Sequence, residues 1–160
     1  MPTPAVRGAT DADVPAITAM AEAAAASLHA SRGAELLLLR ESPAPEATQI
    51  SEWLHAGDMT VQVGTLDDVP VAAGIARLEV LTGGTRLAVV TMLWVDEAAR
   101  AVGVGEALLA GLVDWARAAG CESIDAYALP GERITKNFFE AAGFKARLLT
   151  VSHRLDDDPS

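Results

Sequence analysis

Apolar positions recur along the chain with two different periods, and each change of period marks an element. Val14, Ile17, Met20, Ala24 and Leu28 recur at helical spacing. Thr10, Asp11 and Asp13 offer capping oxygens ahead of them, and Pro15 is tolerated only in a first turn. The helix therefore starts near Asp13 and runs to about Ala30, behind a short edge strand at residues 4 to 9. The run Leu36 to Leu39, between Gly33 and Pro45, fits either a helical turn or a loop lying over a pocket. A shorter helix fits Glu46 to His55, closed by Gly57.

From Met59 the period falls to two. Met59, Val61 and Val63 alternate with Thr60 and Gln62. Asp67-Asp68 reads as a turn, and a second strand runs from Val71 to Leu81. Gly83-Gly84 reads as a two-residue hairpin, because both residues accept positive φ. A third strand, Arg86 to Val95, is apolar on both faces from Leu87, as expected of a strand covered on both sides. Leu108, Leu112, Trp115 and Ala119 mark a helix that starts near Gly105 and ends at Gly120. Ser123 to Ala128 is a short strand, and Pro130-Gly131 breaks the chain. Ile134 to Ala142 is a helix capped by Gly143, and Phe144 to Leu155 is a last strand. Residues 156–160 form a loose acidic tail.

The order is β-α-α-β-β-β-α-β-α-β, a mixed α/β (α+β) fold around one sheet. Its tight turns make the middle strands antiparallel, and its helical connections call for a parallel step later. The 160 residues suit one domain, 1–160, with its core over about 4–155.

Composition narrows the function. The formal net charge is −10, from 12 Lys+Arg against 22 Asp+Glu. Such a surface repels phosphate backbones, so nucleic acid is excluded as a partner, while cationic amines are compatible. One cysteine, Cys121, excludes a disulfide framework and a cysteine-based zinc site, and reads as a small buried hydrophobe. His29, His55 and His153 are too scattered to share a metal. No uncharged run approaches the roughly 20 residues a bilayer helix needs. The expectation is a soluble cytoplasmic protein with no membrane partner and no metal.

The segment that carries chemistry runs from Val95 through Arg100-Ala-Val-Gly103-Val-Gly105-Glu106. A buried strand ends, a short loop follows, and a helix begins at a glycine pair. The free N–H groups of a first helical turn, with the helix dipole, make an anion site. Gly103 and Gly105 permit close backbone approach, and Arg100 adds a charged donor. A pyrophosphate is the natural ligand. A Walker loop would need a lysine after these glycines, and a dinucleotide fingerprint would need Gly or Ala where Leu108 stands.

Arg100-x-x-Gly103-x-Gly105 resembles the acyl-coenzyme A loop of the GCN5-related N-acetyltransferases. Asn137-Phe138-Phe139-Glu140-Ala141-Ala142-Gly143-Phe144 resembles that family's second signature, and the element order is also the family's. The resemblance implies a direct transfer of acetyl from acetyl-CoA, the acyl donor, to an amine of a small molecule or peptide. It implies that the backbone of Leu93 to Val95, with Leu93 and Val95 singled out, pairs with the pantetheine arm. It implies that main-chain groups of Arg100, Ala101, Val102, Gly103, Val104, Gly105 and Glu106 hold the pyrophosphate. Asn137 would approach the cofactor, and an N–H near Val95 would stabilise the oxyanion. A homodimer is compatible with the resemblance, and nothing in the chain decides it.

The chain departs from the family at its catalytic positions. Phe139 replaces the usual tyrosine, Glu132 stands where an asparagine is usual, and strand 86–95 carries no glutamate. Tyr127, the only tyrosine, is the substitute candidate for the acid, and Glu79 is the nearest carboxylate for a base. The two-residue turn pairs Glu79 with Ala88, off the face shared by Val89, Thr91 and Leu93. A water chain is the other route for the proton. Phe138, Phe139 and Phe144 read mainly as core, as do Trp94 and Trp115, while Trp53 is a candidate lining of an acceptor cleft. The missing tyrosine and base keep two alternatives open: a non-catalytic acyl-CoA-binding or regulatory domain, and a nucleotide-binding protein of another kind.

Overall fold

The computed structural model describes residues 2–41 and 44–156. Pro43 of the expected pocket loop and residues 157–160 of the expected tail lie outside the described residues. One sheet holds β1 (Pro4–Gly8), β2 (Met59–Leu66), β3 (Val69–Val80), β4 (Arg86–Val95) and β5 (Ser123–Asp125), in that spatial order. Neighbours from β1 to β4 are antiparallel, and β5 lies parallel to β4 with Leu87 opposite Ser123. The predicted parallel step is therefore present, with β1 at one edge.

Alternation on the strands sends each face to a different helical layer. Val61, Val63, Ala73, Ile75 and Met92 pack with Ile17, Met20 and Ala21 of α1 (Val14–His29) and Ile50 of α3 (Ala47–Trp53). The opposite face receives α4 (Val104–Ala118), whose buried Val104, Leu108, Leu112 and Ala116 repeat every fourth residue. Gly64 permits close contact there, since a Cβ on it would sit 2.7 Å from Val104 Cγ2. Among the described residues no helix is long and apolar enough to cross a membrane.

The run Leu36 to Leu39, which by sequence fits a helical turn or a loop, lies in a helix, α2 (Ala34–Arg40), which starts from left-handed Gly33. Other expectations need correction. The hairpin after β3 has a three-residue loop, Thr82–Gly84, closed by Leu81 N–H to Thr85 O at 2.7 Å. Both glycines take positive φ, and the extra residue moves Glu79 opposite Leu87 rather than Ala88. Val89, Thr91 and Leu93 do not share a face. Ala76 pairs with Val90 and Ile75 with Met92, so Thr91 is a bulge that reverses the alternation. Finally, β5 ends at Asp125, α5 (Arg133–Ala141) follows, and Phe144 to Leu155 forms no strand. A strand needs a ladder partner, and residues 145–153 make no backbone hydrogen bond with the described residues. Cys121 is partly exposed rather than buried.

Candidate active site

The site begins where two strands separate. β5 accompanies β4 only as far as Val89, so Val90–Val95 is paired with β3 on one side and with no strand on the other. Asp96 N–H donates to Val71 O at 2.8 Å, which makes Ala72–Val95 a non-hydrogen-bonded pair. The N–H and C=O of Val95 therefore point away from β3, to the open side. By the same alternation those of Leu93, opposite Gly74, do too. The Val95 carbonyl accepts from Arg100 Nε at 3.0 Å, and the described residues offer its N–H no acceptor.

The loop after β4 leads to the N-terminus of α4. Ala101 takes φ 75° and Gly103 takes φ 87°, two left-handed residues separated by one. Arg100 N–H is engaged, donating to Glu97 O at 3.3 Å. Among the described residues the amides of Ala101 through Glu106 meet no acceptor, and Ala107 resumes the ladder to Gly103 O at 3.1 Å. Six such amides in succession at a helix start, in a strongly curved backbone, are a geometry that could hold an anion. Arg100 is anchored beside it. Its guanidinium lies 4.9 Å from the centroid of the Trp94 ring, and Trp94 Nε1 is itself tied to Asp96 at 3.2 Å.

The opening between β4 and β5 continues as a cleft of about 510 Å³. It is lined by Leu93 to Val95, Arg100, Ala101, Gly105 and Glu106, by Leu37 and Leu38 of α2 and Glu41 after it, and by Tyr127, Glu132, Phe138 and Phe139. Phe139 is buried and packs against Phe138 and Phe144, with centroids 5.4 Å and 5.3 Å away. Gly105 lies beneath the cleft: a Cβ there would meet Val95 Cγ2 at 3.2 Å and Phe138 at 3.6 Å.

A charged cluster borders the cleft at Glu41 and Tyr127. Arg77 places Nη2 3.0 Å from Glu41 Oε1 and Nε 3.4 Å from Oε2, and its Nη1 meets Glu79 at 3.0 Å. The Tyr127 hydroxyl donates to Glu41 Oε1 at 2.9 Å. Burial pushes the Glu41 carboxyl up, but the hydrogen bonds from Arg77 and Tyr127 outweigh it and hold the group below the usual range. Burial, and then the Glu41 carboxylate, push the Tyr127 phenol up. Glu132 Oε2 accepts from the Thr135 hydroxyl at 3.1 Å, and its buried Oε1 has no partner among the described residues.

The fold thus gathers Leu93, Val95, Arg100, Ala101, Gly105, Glu106 and Tyr127 around one cleft. Val102 and Gly103 are exposed in the loop, and Val104 is buried under it. Asn137 is exposed, and neither it nor Glu79 belongs to the cleft wall. Trp53 is not there either, because it packs against the α1 side of the core. Sequence reasoning missed Glu41, whose partners lie 36 and 86 residues away and leave no local pattern. Among the described residues no three His, Cys, Asp or Glu side chains come together as metal ligands.

The chain belongs to the Acetyltransferase (GNAT) family, which it matches over residues 25–144. Three solved structures illustrate the shared fold. The aminoglycoside N-acetyltransferase AAC(6')-Iy in complex with CoA has 15% identity and a TM-score of 0.74, with 98% of this chain and 97% of that one covered. A transcriptional regulator from Bacillus halodurans C-125 has 19% identity and a TM-score of 0.71, with 96% and 100% covered. An aminoglycoside acetyltransferase from an uncultured soil metagenomic sample has 13% identity and a TM-score of 0.72, with 96% and 99% covered. No curated protein matches the chain in sequence.

Proposed function

We propose that this protein transfers an acetyl group from acetyl-CoA to an amine of a small molecule or peptide, by direct attack within a ternary complex. The observation that carries this reading is the row of six amides from Ala101 to Glu106 at the start of α4, which meet no acceptor among the described residues. They suit the pyrophosphate of coenzyme A, with Arg100 beside them. The outward N–H and C=O of Leu93 suit an amide-bearing pantetheine arm laid along β4 in place of a strand. The Val95 N–H then lies free for the oxyanion that develops during attack. AAC(6')-Iy, which has the same fold, was solved with CoA.

Holding both reactants in the cleft supplies the main advantage. Tyr127 commits its one proton to Glu41, so its oxygen offers lone pairs to the cleft. Service as the acid would require that bond to break. Glu79 is held by Arg77 away from the cleft wall, so it is not placed to take the amine proton, and a water chain is a route for it.

The test is calorimetry of acetyl-CoA binding to the wild type and to Val102→Glu, combined with turnover over a panel of aminoglycosides, polyamines and peptides. Val102 is 40% exposed, so the substitution adds a negative charge at the cradle without emptying the core. Affinity should fall at least about tenfold, in line with like-charge juxtaposition. Equal affinities would remove the cradle assignment. Buried Phe139, without a hydroxyl, favours one rival reading, an acyl-CoA-binding regulatory domain. Tight CoA binding with no turnover across the panel would select it.

A further inference from the structure

The one tyrosine of the chain has its polarity fixed. The Tyr127 hydroxyl donates to Glu41 Oε1 at 2.9 Å, and Arg77 donates to the same carboxylate from Nη2 at 3.0 Å and from Nε at 3.4 Å. A phenol has one proton, so once that proton is placed its oxygen can only accept. Neutral pH leaves the pair in this state. Against the effect of burial, the hydrogen bonds from Arg77 and Tyr127 hold the Glu41 carboxyl low, while burial and the Glu41 carboxylate push the phenol up. Tyr127 is 40% exposed and lines the cleft together with Glu41. A ligand that meets its oxygen there has to bring a donor. Charge narrows the donor. Among the described residues the cleft wall carries three carboxylates, Glu41, Glu106 and Glu132, against the single guanidinium of Arg100. Arg77 offsets Glu41 but is shared with Glu79, one positive charge against two negative ones. Glu132 keeps a buried Oε1 that has no partner among the described residues. A wall with that balance favours a cation.

We propose that the cleft takes a primary amine on an apolar stem, an alkyl or aromatic amine, and that Tyr127 selects it by accepting a hydrogen bond from its nitrogen. The stem follows from the walls. Leu37 and Leu38 belong to α2, which Glu41 follows, Leu28 belongs to α1, and Leu129 stands two residues after Tyr127; all four line the cleft. Such walls bury methylene groups and offer a hydroxyl no partner, which disfavours a polyhydroxylated polycation. Tyr127 is the group that touches the nitrogen. Glu41 and Arg77 are positioning residues, since they act by holding the phenol proton away from the ligand. An ammonium and the neutral amine it becomes on losing a proton to water both carry N–H donors, so the contact persists up to the attack on the thioester. The inference rests on the acetyl-transfer reading for the reaction and on the cleft alone for binding.

The test uses n-hexylamine as the probe, with hexanol and hexanoate as its neutral and anionic counterparts and kanamycin as a polyhydroxylated polycation. Because Tyr127 is the only tyrosine, protein labelled with 13C-tyrosine gives one set of ring signals to follow. With CoA present, hexylamine should shift those signals saturably, and the other three should bind at least about tenfold more weakly. By calorimetry, Tyr127→Phe should bind hexylamine at least about tenfold more weakly than the wild type, as for the loss of a hydrogen bond to a charged group, and acetyl-CoA equally well. Glu41→Ala frees the phenol to donate and should erase much of the preference for hexylamine over hexanol, a change that a structural role alone would not produce. Circular dichroism checks that each variant is folded. A wild type that binds hexylamine no better than hexanol overturns the proposal, and so does a folded Tyr127→Phe that binds it as well as the wild type does. Acetylation of kanamycin in preference to hexylamine also overturns it and leaves the acetyl-transfer reading standing. Hexylamine bound at Tyr127 but never acetylated supports the selection and sinks that reading.

Discussion

Tyr127 donates its hydroxyl proton to Glu41, 2.9 Å away, and so ties the end of α2 to the chain leaving β5 in the wall of the cleft. Arg77 fastens the same carboxylate from β3. Tyr127 is the only tyrosine of the chain, so its ionisation can be followed by phenolate absorbance without assignment. Burial and the Glu41 carboxylate both raise its pKa. Glu41→Gln removes the second cause, so the phenol should titrate at lower pH than in the wild type. An unchanged titration curve would mean that the pair is not formed in solution.

A second buried carboxylate sets the acid limit of stability. Asp13 receives Arg7 Nη1 at 2.7 Å and Thr10 N–H at 2.7 Å ahead of α1. Chiefly the Arg7 hydrogen bond, and against the opposing effect of burial, holds its pKa down to about 2 from 3.8. The folded value lies below the unfolded one, so this stabilisation is present above pH 3.8 and is lost as pH falls through about 2. Its size is about 2 kcal/mol. Asp13→Asn should remove a comparable amount at neutral pH and flatten the acid side of the stability profile. Urea unfolding across a pH series measures both.

Gly64 lets α4 lie close against β2. A Cβ there meets Val104 Cγ2 at 2.7 Å and Ala72 Cβ at 3.1 Å, and both neighbours are buried. Gly64→Ala should destabilise by about 1–3 kcal/mol through overpacking. Gly57→Ala, with nothing within 4 Å of the added methyl, should change stability by no more than about 0.5 kcal/mol. Chemical denaturation midpoints of the pair separate crowding from a general intolerance of glycine replacement.

Ala101 holds φ 75° within the cradle, a conformation that costs a side-chain-bearing residue roughly 1–2 kcal/mol. Ala101→Gly relieves that strain, at a smaller cost in unfolded-state entropy. The variant should be more stable by up to about 1 kcal/mol. Its acetyl-CoA affinity should be preserved, because the backbone shape is retained. A lower melting temperature would show that the left-handed turn is not held in solution.

What could be read from the chain is what neighbouring residues decide among themselves. The helical spacing of Val14, Ile17 and Met20, the alternation through Met59, Val61 and Val63, and the start of α4 near Gly105 all follow from backbone sterics and from which side chains need burial. The cradle was legible for the same reason, since free amides at a helix start and left-handed loop residues are local properties. Packing alone decided the rest. The bulge at Thr91 reverses the alternation of β4, because β3 and the helices on both faces must be satisfied together. The third residue of the Thr82–Gly84 loop then moves Glu79 by one place. Glu41, Arg77 and Tyr127 meet across 36 and 86 residues of chain, a distance over which no periodicity carries information. Residues 144–155 have the composition of a strand, but a strand exists only with a partner, and among the described residues none pairs with it. Local conformational preference is written residue by residue, whereas a ladder or a buried ion pair is a property of two segments and is settled only when the folded chain brings them together.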